Sequence, residues 1–385
     1  MTTHSDLLII GAGPFGLSLA AQAQIQGVDY TILGKPMEFW RANMPEGMYL
    51  RSASDWHLDP VNIHTIEAFL AEQGKTPADV EPLSLDFYLS YARWFREQKR
   101  ISITEHYAKQ VDRVESGGFL VTLENGESIT AAKVAVALGF SAFKHEPAEM
   151  VDLLPPNRYA HTCDFVDFAP IRGKRCLILG GRQSAFEWAA LLNEAGAAQV
   201  HISHRHDSPA FEEADWSWVN PLVDAMVDNP GWFRHLSDAE KDKINHRLWA
   251  EGRLKVEPWL EDRVMTPTTT LWPRTRLTGC VENADGSLDV VLAAVDGSDE
   301  RHLRVDQVIL ATGYKVHIDR VRCLNQGNLL TELATRNGFP VLDEHFQTNI
   351  PGLFITSLPA AQDFGPFFGF TISVRTSARL IGQAL

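Results

Sequence analysis

Two rhythms of hydrophobic and polar positions alternate along the chain. Residues 6–10 (DLLII) form an apolar run of strand length, residues 17–27 (LSLAAQAQIQG) carry a helix-like spacing, and residues 29–33 (DYTIL) form a second short strand. The same order returns later, with RCLIL at 175–179, FEWAALLNEAG at 186–196 and AQVHISHR at 198–205. Each copy is followed, after other sequence, by a hairpin-rich stretch and a short apolar strand ending at glycine. In the first, FLVTLENGESITAAKVAVALGF (119–140) turns at Asn125-Gly126, a pair suited to a two-residue hairpin. In the second, GSLDVVLAAVDGSDERHLRVDQVILATGY (286–314) repeats the pattern, and the closing strands fall at 134–139 and 307–313.

The joint between each first strand and its helix explains the repetition. Gly11-x-Gly13-x-x-Gly16 needs glycine for a tight turn, for close approach of a pyrophosphate and for close helix packing, and the helix N-terminus offers amides to the phosphates. The second joint reads Gly180-Gly181-Arg182-Gln183-Ser184-Ala185, with Arg182 where a glycine is usual. These features predict an α/β chain of two Rossmann-like dinucleotide-binding domains, of the three-layer ββα/βαβ type, the second inserted in the first. The expected boundaries are 1–165 plus 306–385 for the first domain and 166–305 for the second, with linkers near 141–172 and 305–317. Within the second, residues 209–275 hold Trp216, Trp218, Trp232, Trp249, Trp259 and Trp272 and read as a helical insertion or lid. Its Ser237-x-x-Glu240 is a capping box.

Composition narrows the chemistry. A net charge of −14 over 385 residues argues against nucleic-acid partners, which select basic faces. Cys163, Cys176, Cys280 and Cys323 are far apart and form no CxxC, which disfavours a disulfide framework, a zinc ribbon or a dithiol redox centre; no metal ligand set is read. No run of about 18 apolar residues is present to span a bilayer, so a cytoplasmic chain without membrane partners is expected.

GAGPFG near the start, GGRQSA in mid-chain and LATGY after it resemble the class B flavoprotein monooxygenases, a family of flavin-containing monooxygenases, amine N-hydroxylases and Baeyer–Villiger enzymes. The resemblance implies FAD at the first joint, held by Gly11, Gly13, Pro14, Phe15 and Gly16, with Val111 from the first meander. Where the second strand usually ends in an acid for the ribose, this chain has Gly34, so Lys35, Trp40 and Arg41 are expected to take over. In the 40–60 segment, Arg51 and Ser52 are expected beside the flavin, and Arg51, Asp55 and His57 are the catalytic candidates, His57 as a proton relay. Thr312 and Gly313, with Asp363 and Phe364 of the Phe/Gly loop 363–370, complete the implied flavin surroundings.

At the second joint the resemblance implies a nicotinamide nucleotide on Gly180, Arg182, Gln183, Ser184 and Ala185, with His204 and Arg205 at the following strand end. Cations there favour NADPH, NADH being the other option, while a plain solvated basic turn is the structural alternative. Arg182 either grips phosphate through its guanidinium fork or marks a vestigial pocket. Two departures from the family pattern are visible: Pro155 and Asn157 replace the Phe and Gly of its fingerprint, of which His161 and Phe165 match the last half, and GLFITSLP lacks the glycine–aspartate of disulfide reductases. The implied activity is insertion of one oxygen of O2 into a small organic substrate (amine, sulfide, ketone or electron-rich heteroaromatic) through a flavin C4a-hydroperoxide. The alternatives are an NAD(P)H:acceptor reductase or oxidase, and a non-catalytic flavin- or nucleotide-binding protein. Small-molecule substrate and O2 are the expected partners, with a homodimer left open.

Overall fold

A computed structural model describes residues 3–385. The first unit opens with β1 (Thr3–Ile10), α1 (Pro14–Gln26) and β2 (Tyr30–Leu33). Pro14 occupies the first helical position, where its fixed φ suits the helix, and Gly27 closes α1 in the left-handed region at φ 68°. A meander follows: β3 (Ala108–Arg113), β4 (Phe119–Leu123) and β5 (Ser128–Val136). The sheet runs β2-β1-β5-β4-β3; β1 lies parallel to β2 and β5, whereas β3, β4 and β5 pair antiparallel. The closing strand expected at 134–139 is thus the second half of β5, which ends at Val136.

The second unit contains β6 (Tyr159–His161), β7 (Arg175–Leu179), α2 (Gln183–Glu194) and β8 (Gln199–His204). An excursion carries helices α3 (Val219–Asp228) and α4 (Asp238–Arg253), the latter opened by the Ser237/Glu240 capping box. Then come β9 (Thr269–Pro273), the meander β10 (Thr275–Glu282), β11 (Leu288–Ala294) and β12 (Glu300–Val305), and β13 (Gln307–Leu310). The parallel sheet runs β9-β8-β7-β13-β6. Strand alternation sorts its side chains into two layers. Cys176, Ile178 and Ile309 pack with Ala185, Phe186 and Ala189 of α2, whereas Leu177, Leu179, Val308 and Leu310 pack with Leu288, Val290 and Leu292 of the meander.

The chain returns to the first sheet with β14 (Leu353–Ile355), parallel to the second half of β5, and α5 (Val374–Gly382), which packs on α1. Three sequence expectations shift. Strands 159–161 and 307–310 pair in the second sheet, although the limits at 165/166 and 305/306 leave both on the first domain's side. Residues 269–273, assigned to the insertion, are its edge strand. The helices of the excursion also do not stand beside the second unit alone. Val219 and Val223 of α3 are buried with Trp56, Phe367 and Ile372 of the first. Among the described residues no helix is long and apolar enough to cross a membrane.

Asp306, alone between β12 and β13, marks where the chain leaves the meander for the parallel sheet. Its carboxylate accepts from the Arg175 backbone N–H (2.8 Å), Nε (3.0 Å) and Nη2 (2.7 Å). The Arg175 hydrogen bonds hold its pKa below the ordinary 3.8, so the stability it contributes is present above that value and lost as pH falls below it. Asp306→Ala should cost about 1.5–3 kcal/mol in urea unfolding near neutral pH, and the difference from the parent chain should shrink in acid.

Candidate functional site

The two strand–helix joints adopt the same backbone path for the same reason. At Gly11 (φ +118°) a Cβ would lie 2.3 Å from the Ala137 carbonyl oxygen, and at Gly180 (φ +144°) it would lie 2.3 Å from that of Ala311. Neither position accepts a side chain. A Cβ on Gly16 would stand 1.8 Å from the Gly11 carbonyl oxygen, so that glycine sets how closely α1 lies on its strand. Gly13 differs: its backbone is ordinary (φ −87°), and a Cβ there would meet nothing within 4 Å. Its missing side chain leaves open space where the N-terminus of α1 directs its amides, the geometry that a dinucleotide pyrophosphate requires.

That space belongs to a cleft of about 670 Å³. Gly11, Gly13, Pro14 and Phe15 line it, together with Lys35, Trp40 and Ser52, as the sequence suggested, and so does Ser184 of the second joint. Trp188, one turn further along α2, joins them. Of the charged lining residues, Lys35, Glu38 and Arg322 lie toward the β2 end, with Tyr107, whereas Arg320 donates to the Lys144 carbonyl (3.3 Å) beside the interdomain crossing. Residues 322–325 pack there on the strand that begins at Ala108. Toward α2 the lining is Met44, Met48, Phe370 and Thr371.

Glu38 was missed by sequence reading. It lines the cleft four residues after Gly34, at the start of a short helix (Glu38–Ala42), 3.9 Å from Lys35. Tyr107, Phe140 and Tyr314 were missed as well. Phe140 and Tyr314 form an aromatic wall with Phe39 (ring centroids 5.1–6.3 Å), assembled from three distant segments that share no local signal.

Other candidates lie elsewhere. Val111 is fully buried in the first core. Arg41 is exposed and outside the cleft lining. Asp363 is buried and accepts from Arg336 Nη2 (2.8 Å) and the Leu342 N–H (2.9 Å), while Phe364 stacks on Phe346 at 3.7 Å; both therefore hold the Phe/Gly loop, of which Gly369 and Phe370 reach the cleft. Thr312 donates to the His145 carbonyl, and the Gly313 carbonyl accepts from the His145 N–H (2.9 Å) and pairs with His161 Nε2 (3.0 Å). These two residues clamp the interdomain crossing rather than lining the cleft.

The three residues expected to be catalytic are also engaged in structure. Arg51 donates from Nε to Glu257 (2.6 Å) and from Nη1 to the Gly252 carbonyl (2.8 Å), with its guanidinium 5.3 Å over Trp216. Asp55 is exposed and accepts from Asn220 Nδ2 (2.8 Å). His57 is buried beside Arg375 Nη1 (2.8 Å); burial first, and the Arg375 charge second, push its pKa down to about 3. His57 does not line the cleft.

At the second joint Arg182 occupies the place of Gly13 with extended backbone (φ −118°, ψ −177°), so no glycine is needed. Its guanidinium donates to the Arg253 carbonyl and lies 5.4 Å over the Trp249 ring. Gln183 accepts the Glu257 N–H (3.1 Å) and Ala185 is core. His204 is buried, with Nδ1 against the His206 carbonyl (2.8 Å), and burial lowers its pKa to about 4. It carries no charge near neutrality, which leaves exposed Arg205 as the cation at that strand end.

Comparison with known proteins follows this geometry. A family model described as pyridine nucleotide-disulphide oxidoreductase matches residues 8–247. The ornithine N-hydroxylase of Kutzneria sp. 744, solved with reduced FAD, NADP+ and L-ornithine, superposes with a TM-score of 0.81 at 15% identity, covering 99% of this chain and 98% of that one; at such identity the likeness shows the shared fold. The FAD-dependent urate hydroxylase of Xanthomonas campestris pv. campestris is 28% identical over 217 residues, 51% of this chain and 44% of that protein. The ferredoxin–NADP reductase of Paraburkholderia phymatum is 26% identical over 220 residues, 56% and 55% of the two chains. The match thus spans about half the length of these curated relatives.

The glycines give a direct test. Gly13→Ala should leave unfolding stability within about 1 kcal/mol while the purified protein retains markedly less flavin. Gly16→Ala should cost about 3 kcal/mol or more. Urea unfolding together with absorbance of bound flavin distinguishes the two.

Proposed function

The chain belongs to the pyridine nucleotide-disulphide oxidoreductase family, and from that premise we propose that it is an FAD- and NADPH-dependent monooxygenase acting on a small uncharged organic substrate. The observation that carries the reading is that one cleft is lined both by Gly11–Phe15 of the first joint and by Ser184 and Trp188 of the second unit. A nicotinamide nucleotide on the second joint would thereby face the inner end of a flavin nucleotide on the first. Gly13, Pro14, Lys35 and Glu38 would hold the pyrophosphate and adenosine portions of FAD, with Trp40, Ser52 and Thr371 along the remainder. FAD, when bound, supplies a two-electron hydride acceptor and the centre at which O2 is activated.

The residues of this chain bind, orient and exclude water. Met44, Met48, Trp188 and Phe370 make the α2 end apolar, and Thr371 donates to Ser52 Oγ (2.9 Å). Arg205 would contact a 2′-phosphate and so favour NADPH. Lys35, Glu38 and Arg322 sit at the opposite end and Arg320 is engaged with the Lys144 carbonyl, so a charged substrate desolvated without partners would pay several kcal/mol. This favours a sulfide, a ketone, a heteroaromatic or an amine in its neutral form over a zwitterionic amino acid. Burial raises the Cys163, Cys176 and Cys323 thiols to about 12, which disfavours thiolate chemistry at these positions. A second reading, NADPH-dependent reduction of an acceptor without oxygen insertion, is favoured by the ferredoxin–NADP reductases among the relatives.

Labelled oxygen separates the two. With NADPH, ¹⁸O2 and indole or thioanisole, one label should enter the product, and L-ornithine should stimulate NADPH oxidation far less. NADPH-dependent reduction of an added acceptor with no label in any product would establish the reductase instead, and absence of flavin reduction by NADPH would overturn both.

A further inference from the structure

Next to Trp188 on α2, Glu187 points away from the cleft and into the junction between the two units. It is 1% exposed. Its Oε1 accepts the backbone N–H of Tyr49 (3.0 Å), from the first-unit segment whose Met48 and Ser52 line the cleft. The same oxygen lies 3.5 Å from Arg263 Nη1, and Oε2 is buried without a partner. Gly47 also comes against this helix, where an added Cβ would meet the Leu191 side chain at 3.3 Å.

Three groups face the carboxylate from the elements packed around it. Tyr49 comes from the first unit, with its ring 6.3 Å from Trp259. Arg263 comes from the short helix Glu261–Val264, its guanidinium 5.4 Å over the Tyr49 ring. Glu194, at the end of α2 itself, accepts from Arg263 Nε (2.7 Å).

We propose that Glu187 is a positioning residue for the reaction inferred above: through the Tyr49 N–H it fixes α2 to segment 47–52, and so fixes the nicotinamide side of the cleft against the flavin side. Ser184 and Trp188 share its helix and move with it. The inference rests on the functional reading, because it is hydride transfer between the two nucleotides that the alignment serves. Ionised Glu187 accepts strongly from the peptide N–H and pairs with Arg263; once protonated it accepts weakly, and Arg263 is left to Glu194. Burial raises the Glu187 pKa to about 7 against the opposing pull of the Tyr49 N–H and Arg263. Alignment therefore improves as pH rises through neutrality.

The test is anaerobic reduction of the FAD-loaded enzyme by NADPH, followed by stopped flow across neutral pH. The limiting rate of the parent enzyme should rise with an inflection near 7. Glu187→Gln should lower that rate above neutrality by about tenfold and abolish the inflection, while half-saturation by NADPH stays within about twofold. Arg263→Gln keeps the Tyr49 contact but removes the counter-charge, and should move the inflection upward. It carries the test if Glu187→Gln does not fold. Unchanged rate and inflection in Glu187→Gln, or an unmoved inflection in Arg263→Gln, overturns the inference alone. A parent enzyme that NADPH does not reduce overturns the functional reading and this inference together.

Discussion

A single steric crossing recurs in both halves of this protein, and the rest of the site is arranged around it. Where each first strand turns into its helix, the chain passes beneath a carbonyl of the neighbouring strand, Ala137 in one half and Ala311 in the other, at a separation that admits no Cβ. Glycine at 11 and 180 is the only residue type that satisfies both the contact and the positive φ. The crossing places a helix N-terminus at the end of the parallel sheet. From there one cleft can be reached by both units.

The junction between the units is held by charge as well as packing. The last carbonyls of helix 238–253 receive Arg51 from the first unit and Arg182 from the second, at the helix end where the dipole favours cations. A charge-assisted hydrogen bond to a peptide oxygen contributes about 1.5–3 kcal/mol. Both guanidiniums thus serve architecture here, though each belongs to a segment that reads as ligand-binding.

Legibility in the sequence followed the range of the interaction. The capping box at Ser237 involves near neighbours and could be read directly; the turns at Gly11 and Gly180 were marked by glycine itself, although the carbonyls that exclude a side chain there, Ala137 and Ala311, lie far along the chain. The meanders and duplicated strand order could be read from alternation. Asp363 could not be placed, because nothing in DFGPFFGF announces that its carboxylate is satisfied by Arg336 and the Leu342 N–H. Arg51 is similar, since its partner Glu257 lies 206 positions away. Glu38 was overlooked because it lies in the next short helix and not at the strand end. The boundary at 305/306 failed because one residue, Asp306, separates strands that pair in different sheets.

That last detail divides the two halves mechanically. In the first half β5 is one unbroken beam: residues 128–131 carry the meander, and residues 134–136 form the sheet floor that leads to Ala137. A load on the outer hairpin is transmitted along a continuous strand to the carbonyl that presses on Gly11. In the second half the beam is cut at Asp306 and pinned there to Arg175. A load on the outer hairpins of this half therefore reaches the floor beneath Gly180 through the side-chain packing of Leu288, Val290 and Leu292 on Leu177, Leu179 and Val308, and not along a continuous backbone as in the first half.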